Sequence, residues 1–230
     1  MGSHKMNTYI LFVAFNLIFL VSSLLGDNQE NYPEITKVNS ELFEFGQILI
    51  NKERREFSFP AICNQTNGLV EYALVHDEGK THESLMRTSV SPRLIHACLL
   101  LLKEKPQAHF FSQLKNSPIR PGQIHSIKIF VEWKEGGVPR KETINSMVVC
   151  QTDGRVLKEN TFVFTGSKVM EGSYLAEMDG SIVAIYHDER ATLNSRDDQS
   201  KFDDVWIANE LSMPAKETPV TIRFQLPSNK

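Results

Sequence analysis

The sequence predicts a β-rich α+β domain: a mainly antiparallel sheet or sandwich with one buried helix, about Pro92–Lys103, packed on it. Three observations carry this reading. From Phe45 to Leu226, short runs rich in β-branched and aromatic residues alternate with Gly, Asn and Asp turn signals. One segment breaks the pattern: Leu94–Leu102 is apolar nearly all the way round, as in a helix covered on every side. No internal repeat or linker interrupts residues 45–230, which read as a single domain. A closed barrel, or two sheets plugged at one end by the helix, is the alternative arrangement.

The chain starts differently. Lys5 precedes an apolar run from Ile10 to Leu25, and the composition turns polar at Asp27-Asn28-Gln29-Glu30. A charged end, an apolar core and small residues at Ser22, Ser23 and Gly26 predict a secretory signal peptide over 1–26. The expected cut is after Gly26, with Ser23 as the alternative. The run is short for a bilayer crossing and Asn16 interrupts it, so no permanent membrane span is expected after cleavage. With no Cys at its end, a lipid anchor is not expected either. The protein is therefore expected to be exported, periplasmic or extracellular. Residues 27–44 follow as a polar N-terminal arm. Without the leader, 24 Lys and Arg (25 less Lys5) face 28 Asp and Glu, a net charge of −4. Basic residues are scattered and no aromatic platform accompanies them, so no nucleic-acid partner is expected. An envelope protein is the expected class of partner.

Within the domain, Gln47–Ile50 and Phe57–Cys63 read as strands, followed by the turn Asn64-Gln65-Thr66-Asn67-Gly68, which also spells a glycosylation sequon. Leu69–His76 and Thr81–Arg87 predict an antiparallel hairpin across Asp77-Glu78-Gly79-Lys80. Ser91 is a suitable N-cap and Pro92 a preferred first residue for the helix, which Lys103, Glu104, Lys105 and Pro106 end. Ala108–Asn116 reads as a short helix or a loop. Ile124–Trp133 and Val138–Thr143 flank Lys134-Glu135-Gly136-Gly137, a strong hairpin signal. Met147–Gln151, Thr161–Thr165, Tyr174–Met178 and Ser181–His187 predict further strands. Leu193–Asp204 reads as a charged loop, and alternating Val220, Ile222, Phe224 and Leu226 close the sheet.

Three cysteines, Cys63, Cys98 and Cys150, allow one disulfide and one free thiol or three free thiols. Cys98 lies in the apolar helix and reads as a small hydrophobe. Cys63 and Cys150 end strand-like runs and could pair.

Chemistry-bearing candidates concentrate near the predicted hairpin. Its register puts Val70, Tyr72, Leu74, Glu83 and Leu85 on one face, against the helix, so that Glu83 points inward and needs a partner. His96 on the helix is the expected one. The pair reads first as a structural tie between helix and sheet, and second as a functional pair of acid and base or of metal ligands. His76, His82, Glu83 and His96 together could hold zinc or copper, although their spacing fits no standard zinc pattern. His82-Glu83-Ser84-Leu85-Met86 misses the metalloprotease H-E-x-x-H, because Met86 stands at the second His position. Ser84 lacks a nucleophile elbow. Asp197, Asp198, Asp203 and Asp204 lack the spacing of a calcium loop and read as solvated. No complete catalytic motif is present, and the catalytic residues are unassigned.

Several of these segments together resemble the YdjY-domain family of exported bacterial proteins. The resemblance is carried by Gly68-Leu69-Val70-Glu71-Tyr72-Ala73-Leu74-Val75, Gly79-Lys80-Thr81-His82-Glu83-Ser84-Leu85, and Ile95-His96-Ala97-Cys98-Leu99-Leu100 after Pro92. It continues through Ile129-Phe130-Val131-Glu132-Trp133, Phe162-Val163-Phe164-Thr165-Gly166-Ser167 and Asp179-Gly180-Ser181-Ile182-Val183-Ala184, and covers about Phe57 to Leu226. It implies a bacterial envelope protein associated with redox or metal-handling proteins, and it makes the sequon incidental. The three cysteines are not part of the pattern, and no activity comes with it. Two functions are therefore carried forward. One is an exported non-catalytic binding or accessory protein. The other is a zinc or copper protein, and possible hydrolase, centred on His82, Glu83 and His96 with His76 nearby. A redox pair, Cys63–Cys150, is a third.

Overall fold

A computed structural model describes residues 32–116 and 125–228; the expected leader over 1–26 lies outside them. Four strands open the domain as an antiparallel meander: β1 (Ile35–Lys37), β2 (Leu42–Phe45), β3 (Ile48–Asn51) and β4 (Glu56–Cys63). The segment expected as a polar arm thus carries the first hairpin. Next come β5 (Tyr72–His76), β6 (Ser84–Thr88), the helix Pro92–Leu101 and a shorter helix, Phe110–Asn116. The hairpin β7 (Lys128–Glu135) and β8 (Val138–Thr143) turns at Gly136 and Gly137, whose φ of 56° and 84° fit the tight turn read from the sequence. The remaining strands are β9 (Val148–Cys150), β10 (Phe162–Phe164), β11 (Val169–Met170), β12 (Ser173–Tyr174), β13 (Ser181–Ala184), β14 (Leu193–Ser195), β15 (Trp206–Ala208) and β16 (Pro219–Gln225).

Strand β4 organises the sheet because it is long enough to serve two partners on one edge. Phe57 and Ser58 pair with β3, while Ile62 and Cys63 pair with β6. Its other edge pairs along its length with β16, which leads to β7 and β8. From β6 the sheet runs on through β5, β13 and β14 to β10. Strands β9 and β15 form a separate pair, as do β11 and β12. The rings of Phe57 and Phe224 stack at 4.8 Å with Phe59 beside them, and all three are buried. Each such ring contributes on the order of 2 kcal/mol by leaving water.

The helix Pro92–Leu101 seats Ile95, Cys98 and Leu99 in the same apolar core. Its first turn is held from outside: Ser91 Oγ accepts from Arg93 N (3.2 Å), and Glu177 Oε2 accepts from the same N–H (2.9 Å). A carboxylate at this end also meets the positive pole of the helix. At the other end Arg55 Nη1 donates to Leu102 O (2.7 Å), Nη2 reaches Glu104 and Nε donates to Pro227 O (2.8 Å). One guanidinium therefore fixes the helix exit and the segment after β16, and satisfies a carbonyl that the helix leaves open.

Several expectations are corrected. The hairpin over 69–87 does not form: β5 and β6 are parallel, with Tyr72 beside Ser84 and Leu74 beside Met86. The chain returns through 77–83, ending in a 3₁₀ turn at Thr81–Glu83. Tyr174–Met178 is not a strand; β12 stops at Tyr174, where the helix Leu175–Asp179 begins. Leu193–Asp204 is a charged loop only in part: β14 is fully buried within the sheet and Asp197 is buried under Arg155 in a paired contact of 2.7 and 2.9 Å, whereas Asp198, Asp203 and Asp204 are exposed as expected. Ala108–Asn116 resolves to a helix at Phe110–Asn116. Cys63, Cys98 and Cys150 are all free and buried, and the Cys63–Cys150 bond is not formed. Burial raises the Cys63 thiol to about 11, with Glu217 adding to the effect, so it stays protonated at neutral pH.

The return is possible because two glycines meet. A Cβ on Gly180, whose φ is +68°, would lie 2.7 Å from Gly79 Cα, and one on Gly79 would lie 2.9 Å from Asp179 O. Gly180→Ala is expected to destabilise the fold by about 2–4 kcal/mol, combining left-handed strain with the backbone clash. Gly136→Ala, at φ +56° in open space, should lose no more than about 1–2 kcal/mol. Denaturant midpoints of the two variants check this, and equal losses would show that the glycine contact carries no weight.

Candidate functional site

The parallel return divides the predicted site into an interior half and a surface half. His96 belongs to the interior. Its Nδ1 shares a 2.8 Å hydrogen bond with the Tyr174 hydroxyl, which shares one of 3.0 Å with Thr192 Oγ1. Phe164 and Tyr174 present their rings edge-on to the imidazole, at 4.9 and 5.2 Å. Burial, and then the nearby Arg93 charge, lower the His96 pKa to about 4, so the ring is neutral at pH 7. The Thr165-Gly166-Ser167 turn closes this side. A Cβ on Gly166 would strike Pro106 at 2.8 Å, and Ser167 Oγ accepts from Ala176 N at the start of the Leu175–Asp179 helix. Thr165 Oγ1 accepts from Asn194 Nδ2 (2.9 Å), so this side chain is also satisfied. The Thr165-Gly166-Ser167 turn is therefore a structural joint.

The surface half gathers where β5 and β6 begin. His82 Nε2 lies 3.5 Å from Glu83 Oε2; the His82 side chain is 79% exposed and that of Glu83 22%. Glu71 N donates to Glu83 O (2.9 Å), so parallel pairing sets Glu71 beside Glu83 at the strand starts. Partial burial raises the Glu71 pKa, and the Glu83 carboxylate raises it further. Behind them, Tyr72 OH donates to Asp188 Oδ2 (2.9 Å) and accepts from Lys80 Nζ, whose charge sits 4.6 Å from the Tyr72 ring centroid. Burial, and then Asp188, push the Tyr72 hydroxyl up, so it remains a donor.

Beside this cluster opens a polar cleft of about 560 Å³ lined by Asn64, Gln65, Asn67, Gly68, Thr81, His82 and Lys216. Asn64 Nδ2 donates to Thr81 O and to Ser84 O (2.7 Å), and Gln65 Nε2 donates to Asn67 O and Leu69 O (both 2.8 Å). Both amide nitrogens are held by backbone carbonyls, and an amide oxygen is chemically an acceptor. Lys216 and His82 add donors.

The expected Glu83–His96 pair is thus not formed: Tyr174 takes His96 and His82 meets Glu83. Glu83 does not face the core, because it sits in the 3₁₀ turn rather than in an antiparallel strand. His76 lies at the far end of β5, where its Nδ1 accepts from Glu78 N (3.3 Å). Of the four proposed ligands, the structure brings together His82 and Glu83. Among the described residues no three His, Cys, Asp or Glu side chains gather closely enough to share an ion. Nothing in the sequence joins Glu71, Lys80 and Asp188 to this cluster, since only the parallel register brings them together.

The profile of the YdjY domain matches residues 48–225. No curated protein and no solved structure matches the chain. Among the described residues no helix is long and apolar enough to cross a membrane.

The neutral state of His96 has a measurable consequence. Its native pKa of about 4 lies below the 6.5 of a free imidazole. Between these values the unfolded chain takes up a proton that the native ring refuses, so stability falls as pH drops from 6.5 towards 4 and then levels off. The loss should approach roughly 3 kcal/mol. It should be absent in His96→Gln when the two proteins are compared by denaturant unfolding across this range, and parallel curves would refute the assignment.

Proposed function

The chain belongs to the YdjY domain family, and we propose that it works as an exported, non-catalytic binding or accessory protein of the cell envelope. Its ligand site is the cleft between Asn64–Gly68 and Thr81–His82. The observation that carries this reading is the division of its polar residues. His96, Tyr174 and Thr165 are occupied in interior contacts, whereas His82, Lys216, Asn64 and Gln65 line an open cleft. Such a lining suits a small polar ligand or a peptide end, held by hydrogen bonds with one ammonium contact. Export follows from the charged, apolar and small-residue order of residues 1–26.

A second reading, a zinc or copper protein, has the 3.5 Å approach of His82 Nε2 to Glu83 Oε2 in its favour. It needs further ligands beyond these two.

Two measurements test the proposal. Produced in a bacterium with its own leader, the protein should be recovered from the periplasm with its N-terminus near Asp27; full-length protein retained in the cytoplasm would contradict export. Amide chemical-shift titrations with single amino acids, dipeptides and monosaccharides should move Gln65, Gly68 and Thr81 first, and His82→Ala with Lys216→Ala should weaken the response about tenfold. Shifts confined to another surface would overturn the cleft assignment. Stoichiometric zinc or copper in wild type, lost in His82→Ala, would establish the second reading in its place.

A further inference from the structure

Strand pairing lines up four aliphatic side chains across the outer face of the β9–β15 pair. Ile207 is directly opposite Val149; Leu69 bridges to Ile207 on one side and Val156 bridges to Val149 on the other, all antiparallel. Directly opposed residues share a face, so Leu69, Ile207, Val149 and Val156 form one row. The other face explains why the row cannot turn inward: Trp206, Cys150, Val148 and Leu157 already fill the core there. Leu69 and Val156 at the two ends are 47% and 49% exposed. With strands about 4.8 Å apart, the row is about 14 Å long.

Its surroundings carry a sign. Asp203 and Asp204 stand just before β15, and Asp153 stands in the turn just after β9, all three exposed. Asp203 also acts on Glu71, so the acidic band reaches the surface cluster. Arg155 neutralises one end of the band: its Nε donates to Asp153 Oδ2 (3.2 Å) while its two Nη atoms hold the buried Asp197 at 2.7 and 2.9 Å, so the sign of the band rests on Asp203 and Asp204.

We propose that this row is a docking surface for a basic amphipathic helix of a partner protein. About ten helical residues span 14 Å, and aliphatic side chains at i, i+3 or i+4, and i+7 would lie along the row. Lys or Arg on the helix flank would meet Asp203 and Asp204. The same carboxylates repel an anionic bilayer, which makes a protein the occupant. The row begins next to Gly68 of the cleft lining but uses aliphatic side chains and carboxylates instead of the cleft's polar groups, and it stands whether or not the cleft holds a ligand.

The probe is a synthetic helical peptide of about 16 residues with a Leu face flanked by Lys. Controls are the same peptide with Glu for Lys, and phosphatidylglycerol vesicles. The Lys peptide should bind saturably to the protein, with amide shifts centred on Leu69, Val149, Val156 and Ile207. Leu69→Ser combined with Val156→Ser alters exposed side chains and should leave the fold intact, yet raise Kd about tenfold. Asp203→Asn with Asp204→Asn should weaken binding several-fold and flatten its salt dependence, while His82→Ala should have no effect. The proposal is overturned if the shifts fall elsewhere, if the double Ser variant binds as well as wild type, if the Glu peptide binds equally, or if the vesicles capture the protein.

Discussion

The segment 77–83 has to bring the chain from the end of β5 back to the start of β6, so that two consecutive strands lie parallel. Parallel neighbours ordinarily need a crossover of about a dozen residues or more. Here the return is held at both ends. At one end Gly79 N donates to His76 O, Asp77 N to Thr88 O, and the Gly79 backbone lies directly on Gly180. At the other, Lys80 reaches over the Tyr72 ring to its hydroxyl and to Asp188, and the Asn64 amide grips the carbonyls of Thr81 and Ser84. Each contact joins the return to a different element, so removing one would loosen the junction of β5, β6 and β13.

The placement of titratable groups follows from that return. An antiparallel hairpin would have turned Glu83 towards the helix. The parallel arrangement instead lifts Thr81–Glu83 out as a 3₁₀ turn and sets Glu83 beside Glu71 and His82. His96 is left to find its partner within the core, and the Tyr174–Thr192 pair supplies it without a charge. A neutral imidazole in an aromatic cage avoids the penalty of burying an ion. The carboxylates stay at the rim, where water and Lys80 moderate their repulsion. Glu71, His82 and Glu83 thereby gather at the strand starts, beside the cleft.

Much of this was legible in the sequence. The apolar girth of Leu94–Leu102, the Ser91-Pro92 start and the Gly136-Gly137 hairpin depend on local rules, and the structure follows them. What could not be read depends on contacts between distant segments. The Asp77–Lys80 stretch carries ordinary hairpin signals, and only its meeting with Gly180, about a hundred residues later, makes the parallel path fit. Polar residues at Asn194, Ser195 and Asp197 suggest solvent, yet each is buried because Asp188, Ser200 and Arg155 satisfy it. Of the candidate site, His82 and Glu83 were found from their own residue types. Glu71 and Lys80 needed the register, and His96 was correctly placed in the interior but with the wrong partner.

The most direct test is the pairing of β5 with β6, read from nuclear Overhauser contacts between backbone protons in solution. The account predicts a parallel pattern, with Tyr72 beside Ser84, Leu74 beside Met86 and the Glu71 amide close to Glu83. Contacts joining Leu74 to Glu83 and Tyr72 to Leu85 in an antiparallel ladder would restore the hairpin, return Glu83 to the helix face and contradict the division of the site.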